Sequence, residues 1–436
     1  MPSKAALAML GAAAALSAAC AAPPAQAPEP VAVRSQAVLP AAQVVPRVAK
    51  SVAPGVDLLW TADWFGGVSL LGVDARGQRA LVRLEAQTPA PRLVLEVVDV
   101  ANGSSLSQWE AEPDHARRAT QLGVFSALTG DFRGDALRFG ALLSEVGPWH
   151  LRGSIASPTF AVAPERRAIV YGAPPTDGSD GDWLFATAAD GSSARRVDAG
   201  LRASYSPVVS PDGRFVAFRG CASSPCDYGL YLSDLDGGAP KRAPGVQQAA
   251  PPVWSVLGDA VFAVGQKSSR PGERCLLKVA PQGVVPRALH CVKGLAEVEF
   301  EQDPEGRTGV LMGVRGEPGK QVVELHWLLL ADGTVLSSHT VPRATGGGVL
   351  SQTGLLAMPM QRGGVGLVDL VTGANTLVDD PHGWFFGFDG ARWVGDRVVL
   401  LRKLDDQPGY QIVAVDARQL TAKQGGWANL SAPAGE

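Results

Sequence analysis

Turn residues recur along this chain on two interleaved ladders, and that period constrains the fold more than any other feature of the sequence. The first ladder runs Asp74-Ala-Arg-Gly77, Gln121-Leu-Gly123, Pro164-Glu-Arg-Arg167, Ser210-Pro-Asp-Gly213, Val256-Leu-Gly258, Asp303-Pro-Glu-Gly306, Gln352-Thr-Gly354 and Val394-Gly-Asp396. Its steps are about 41 to 48 residues, the spacing of a solenoid or a propeller. The second runs Asn102-Gly103, Val146-Gly147, Asp190-Gly191, Gly237-Gly238, Gln282-Gly283, Asp332-Gly333, Thr372-Gly373 and, without glycine, Asp416 to Leu420. Asn-Gly, Asp-Gly and Pro-Asp-Gly are hairpin chemistry: glycine reaches positive φ without a Cβ clash, and proline presets the first turn residue. Each period therefore holds two hairpins.

The runs between the turns are short and rich in Val, Leu and aromatics, among them Leu93–Val100, Arg214–Phe218, Tyr228–Leu232, Ala260–Val264, Gly309–Met312, Val365–Leu370 and Arg397–Leu401. No amphipathic helical stretch interrupts them. Four strands in each of eight units of about 45 residues predict an all-β fold, a β-propeller of four-stranded blades, most simply with eight blades. Seven is the alternative, because the unit at 112–158 is degenerate and the last unit lacks its turn glycine. The strand-like Val56-Asp-Leu-Leu-Trp60 precedes the first full blade and is placed to close the ring on the final one.

Composition narrows the class. The 436 residues include 51 Gly and 33 Pro, a turn-rich chain without a Gly-X-Y period, and 46% hydrophobic against 19% charged residues excludes disorder. A net charge of −3 without a basic stripe argues against nucleic acid and against an anionic membrane surface as electrostatic partners.

Residues 1–19 read as a signal peptide: Lys4, an apolar stretch from Ala5 to Leu16, then small residues up to Cys20. Leu16-Ser-Ala-Ala-Cys20 resembles a bacterial lipobox, with the large aliphatic one place further out than usual. Lipidation of Cys20 is the expectation and ordinary cleavage near the same point the alternative. Residues 20–50 form an Ala/Pro-rich tether; nine Ala and six Pro stand among residues 21–50, and no aromatic. A single propeller domain is expected over 51–436.

Tyr205-Ser-Pro-Val-Val-Ser-Pro-Asp-Gly-Arg-Phe-Val-Ala-Phe218, followed by Leu230-Tyr-Leu-Ser-Asp-Leu-Asp-Gly-Gly238, resembles the TolB-type, WD-like propeller repeat. Val98-Asp-Val-Ala-Asn-Gly103 and Val368-Asp-Leu-Val-Thr-Gly373 resemble instead the turns of BamB-like, quinoprotein-type propellers. Both resemblances imply a bacterial envelope propeller, and both concern blade maintenance and carry no chemistry of their own.

Four cysteines remain after Cys20, an even number that in an exported domain favours disulfides over free thiols or a redox pair. Cys275 and Cys291 stand equidistant from Gly283, so a symmetric hairpin register sets them opposite each other; Cys221 and Cys226 flank Ala-Ser-Ser-Pro and close a tight loop. Catalytic signatures are absent from the sequence: no G-x-S-x-G elbow, no phosphate loop, no H-E-x-x-H. The histidines (His115, His150, His290, His326, His339, His382) are scattered, and Asp379-Asp-Pro-His382 reads as a turn rather than a metal site. In Glu297-Val-Glu-Phe-Glu301, period-2 geometry places Glu297, Glu299 and Glu301 on one face of a first strand, the strand that lines a propeller channel. They are the candidate channel ligand site, weighed against a solvated wall. The tryptophans, including Trp60, Trp64, Trp254, Trp384 and Trp393, read as blade packing, with Trp384-Phe-Phe386 the exception near a channel strand.

The sequence thus predicts a non-enzymatic, lipid-anchored envelope protein that binds an envelope protein partner, touches membrane through its lipid only and uses no cofactor. The competing class is a channel-mouth enzyme or small-ligand binder of the quinoprotein or lactonase-like kind. The expected location is the outer membrane, on its periplasmic or surface side.

Overall fold

Apolar residues occupy both faces of most strands, so no sheet of this chain can stand alone in water. In Val261–Lys267, Val261 and Ala263 turn to one neighbouring sheet while Phe262 and Val264 turn to the other. Burying a large side chain of this kind contributes about 1.5–3 kcal/mol, and a neighbouring sheet on each side buries both alternating sets.

The computed structural model describes residues 50–110 and 160–418, less short interruptions. Its described part belongs to the unit Pro40–Glu436, one of two into which the chain divides; the other, Met1–Leu39, lies outside the described residues, as do Cys20 and the unit read at 112–158. Among the described residues seven antiparallel sheets follow one another, at 67–110, 160–196, 203–242, 246–293, 296–342, 349–378 and 383–416; they are numbered first to seventh below. Each is a meander with its first strand at the inner edge, and first strands approach one another between the second and third, third and fourth, fifth and sixth, and sixth and seventh sheets. The fold is a β-propeller of four-stranded blades.

Six seams of apolar side chains join the described sheets. Leu184 meets Phe218 between the second and third, Ala217 meets Trp254 and Leu277 between the third and fourth, and Phe262 and Leu276 meet Leu311 and Leu328 between the fourth and fifth. Met312 packs with Leu356, Leu367 with Val398, and Trp60 with Leu84 and Leu401 in the seams that follow. Trp60, Trp254 and Trp393 are buried as expected of blade packing, and Trp64 lies outside the described residues. The seventh sheet is completed from the other end of the chain: Val56–Ala62 pairs with Tyr410–Asp416, in the register Val56↔Val415, Trp60↔Ile412 and Ala62↔Tyr410. This is the closure expected of Val56–Trp60.

The described turns follow the ladders; Gln121-Leu-Gly123, Pro164-Glu-Arg-Arg167, Val146-Gly147, Asp190-Gly191 and Gly283 lie outside the described residues. Gly77, Gly213, Gly258, Gly306, Gly354 and Gly395 on the first, and Gly103, Gly237, Gly333 and Gly373 on the second, all have positive φ. In the first-ladder turns Ser210, Ser255, Asp303 and Ser351 are buried, and each carbonyl accepts from the N–H of the glycine three residues on. Their side-chain oxygens accept further backbone N–H bonds, from Phe215 to Ser210 Oγ at 2.9 Å and from Leu355 to Ser351 Oγ at 2.8 Å. The two ladders are bonded to each other: Val100 N–H donates to Gln78 O, Leu235 to Arg214, Leu330 to Arg307, Leu370 to Gly354 and Ala417 to Asp396.

Both expected disulfides form. Cys275 and Cys291 are direct register partners with S–S 2.05 Å, and Cys221–Cys226 closes the connection between the second and third strands of the third sheet.

Two histidines face each other across the seam between the fourth and fifth sheets, their rings 5.0 Å apart: His290 on Pro286–Lys293 and His326 on Val322–Leu329. Burial holds both imidazoles below the ordinary value; the charge of His326 adds to this at His290, while Glu324 partly opposes it at His326. Neutral rings suit this seam and charged ones do not.

Two outcomes follow from these contacts. Gly333 and Gly200 have nearly the same φ, +86 and +85, but a Cβ on Gly333 would lie 2.2 Å from Leu289 O whereas one on Gly200 meets nothing. Gly200→Ala is expected to cost about 1 kcal/mol in denaturant unfolding and Gly333→Ala roughly 3 kcal/mol or more, equal costs being the contrary result. For the histidines, the unfolded chain binds protons below about pH 6.5 that the folded chain resists. The stability supplied by the neutral pair is complete above that pH and is lost as pH falls through it. Thermal unfolding of wild type should therefore fall more steeply from pH 7 to pH 5 than that of His290→Gln with His326→Gln.

Candidate functional site

The innermost strands carry the polar groups nearest the axis, and side chains tie them to one another. Trp254 Nε1–H donates to Val208 O at 2.7 Å, joining the third and fourth sheets, and Trp393 Nε1–H donates to Val349 O at 2.7 Å between the sixth and seventh. Gln302 Nε2–H donates to Trp254 O and its Oε1 accepts from Val256 N–H at 3.3 Å, joining the fourth and fifth. Buried backbone groups at the inner edge, which have no fifth strand to pair with, are satisfied by the next blade.

The three glutamates lie on such a strand, Ala296–Gln302, but not as an unbroken row. A bulge separates the pairs Ala296↔Val314 and Glu299↔Met312, with Glu297 inside it at φ 46. One extra residue shifts the alternation, so Glu297 leaves the period that Glu299 and Glu301 keep. Val298 and Phe300 pack toward the fourth sheet, as the alternation predicts. Glu301 is buried toward the sixth, its Oε1 accepting from Leu350 N–H at 3.5 Å, and Glu299 is exposed beside Gly347. Glu301 thus serves the same blade-joining role as Trp254 and Gln302. Among the described residues one trio of metal-ligating atoms lies within 4.8 Å, Glu273 with Cys275 and Cys291, and its sulfurs are already joined as the disulfide. Asp379 is exposed, and His382, like His115 and His150, lies outside the described residues.

Left-handed residues recur where the first strands begin, at the end of the sheets opposite the turn ladders. Ser206 (φ 52), Gln248 (φ 47), Glu297 and Gly346–Gly348 stand there in the third to sixth sheets. This rim holds a cluster that the sequence alone did not reveal. Arg219, on Phe215–Cys221, is the register partner of Tyr205 on the innermost strand. Its guanidinium carbon lies 5.1 Å from the centre of the Tyr228 ring, and the Tyr205 and Tyr228 rings meet edge to face at 5.7 Å. Arg219 Nε is buried and meets no acceptor. Burial holds the guanidinium below its ordinary value, with the two tyrosines opposing, yet an arginine so placed stays charged. The neighbouring carboxylate, Asp227, is engaged by Arg242 at 3.0 Å and by Gln248 N–H at 3.5 Å. The readable signal was a lone Arg ending an apolar run before Gly220-Cys221, with two of the chain's five Tyr at either side. On the same rim Trp384 is 54% exposed, while Phe385 beside it is buried in the seam.

The turn-bearing end is different. Leu257 and Val285 of the fourth sheet, Val335 and Leu336 of the fifth and Val371 of the sixth are large apolar side chains exposed there, on three consecutive sheets.

No protein-family model and no curated protein matches this chain. Solved structures similar to it include TolB from Acinetobacter baumannii, at 15% identity over 80% of this chain and 81% of that one, with a TM-score of 0.33. The β-propeller domain of the Trilobed protease from Pyrococcus furiosus is 10% identical over 80% and 95%, TM-score 0.44, and puromycin hydrolase 16% identical over 81% and 52%, TM-score 0.46. At such identities and TM-scores the propeller assignment rests on this chain's own sheets, seams and register.

Proposed function

We propose that this protein is an exported, lipid-anchored, non-enzymatic propeller whose turn-bearing end docks another envelope protein. The observation that carries this reading is the row of exposed apolar side chains, Leu257, Val285, Val335, Leu336 and Val371, on three adjoining sheets at one end. Scattered exposed apolar residues need no explanation, but several at one end of consecutive blades mark an interaction surface. The frame behind them suits docking, since bonded turn ladders and buried turn residues hold the surface in one conformation and lower the ordering cost of association. Export and anchoring rest on the signal-like residues 1–19 and on Cys20.

A second reading, a small-ligand binder at the opposite rim, is favoured by exposed Trp384 and by Arg219 without an acceptor for its Nε.

Crosslinked envelopes probed with the tagged protein distinguish the two. A reproducible partner is expected, with recovery reduced about tenfold or more in Leu257→Asp with Val371→Asp and unchanged in Trp384→Ala, since tenfold corresponds to about 1.4 kcal/mol of lost contact. No reproducible partner, or loss only with Trp384→Ala, overturns the docking face. A palmitate analogue should label wild type and not Cys20→Ala; equal label in both removes the anchor.

A further inference from the structure

We infer that Arg219 anchors a binding site for a carboxylate at the rim opposite the turn ladders. A half-buried guanidinium is costly unless its donors are satisfied, and Arg219 Nε is buried without an acceptor. No ion pair joins Arg219 to any carboxylate among the described residues, and the adjacent one, Asp227, is held by Arg242 and Gln248. The aromatic surroundings of Arg219 are fixed from several sides. Tyr228 stands 5.1 Å from the guanidinium, Tyr205 braces Tyr228, and Ala249 N–H donates to Tyr228 O at 2.9 Å. The Cys221–Cys226 disulfide closes the connection between the strand of Arg219 and Tyr228, so the aromatic wall and the cation are held in one arrangement before any ligand arrives.

The charge of the site selects the ligand class. Arg242 is paired with Asp227, and the guanidinium of Arg219 is a planar fork whose spacing matches a carboxylate. A phosphate dianion calls for a second unpaired cation beside the first, so phosphate is the comparison arm that tests the assignment to a carboxylate. The carboxylate is that of a free small organic acid or of a peptide C-terminus, the two sources sharing this chemistry. The site does not depend on the docking reading: it is tested with purified protein and no partner, so either reading can fail alone.

The test is a titration followed by the Nε–Hε cross-peak of Arg219 in ¹⁵N-labelled full-length protein, assigned by its loss in Arg219→Lys and Arg219→Gln. Sodium succinate and N-acetyl-triglycine are the carboxylate probes, with N-acetyl-triglycine amide, sodium phosphate and sodium chloride at matched ionic strength as the comparison arms. A saturable shift with the carboxylates and none with amide or chloride is expected. Earlier saturation by the peptide acid identifies a chain terminus as the source, and earlier saturation by succinate identifies a small acid. Thermal unfolding should rise with the same carboxylates in wild type, with the rise lost in Arg219→Lys, which keeps the charge but not the fork. No saturable shift in wild type, an equal shift with chloride, saturation by phosphate at lower concentration than by carboxylate, or an undiminished thermal rise in folded Arg219→Lys overturns the inference.

Discussion

The constraint on which the rest of this molecule depends is that its sheets are apolar on both faces. A sheet with one apolar face can cover itself with a second layer and stop; one with two must find a neighbour on each side, and so must the neighbour. Val216 and Phe218 point into one seam and Ala217 into the next, and the same division recurs at Val261 to Val264 and at Val398 to Leu401. Such a stack has no natural end. Val56–Ala62 joins the strand ending at Asp416 and carries Trp60 into the seam with the first sheet, so the first and last described strands of the domain share a sheet.

Polar groups stand at the two ends, at the inner edge and on the outer strands, and the two ends have diverged. At the turn-bearing end, repeated chemistry satisfies nearly every backbone group locally: a buried Ser or Asp begins the first turn, a positive-φ glycine ends it, and one N–H from the later hairpin bonds back to it. Repetition leaves that end regular, with apolar side chains free to project from it. At the other end the connections vary in length, the first strands open with left-handed residues, and side chains such as Arg219 and Trp384 stand without the repeated pattern. One fold thereby offers a stiff, apolar face and a chemically individual rim.

Much of this architecture was legible in residues because it is local. A glycine flanked by Asp or Asn reports its own φ, and the described glycines on both ladders adopt the conformation their turns require. Cys275 and Cys291 were matched through a hairpin whose centre, Gly283, could be read directly, and register pairs them. The glutamate row was less legible. Alternation correctly put Val298 and Phe300 together, but the bulge at Glu297 depends on how the strand enters the ring, and no residue type announces it.

By itself the sequence determined the all-β class, the hairpin period, the closing strand and both disulfides, because periodicity, turn chemistry and symmetric spacing act over a few residues at a time. The tertiary structure alone decided which charged and aromatic side chains share a place: Arg219 with Tyr205 and Tyr228, Glu301 with the backbone of the next blade, His290 with His326. Those meetings join strands far apart in the chain, or different blades, and they follow from twist, bulges and the packing of sheet on sheet, which no local pattern encodes.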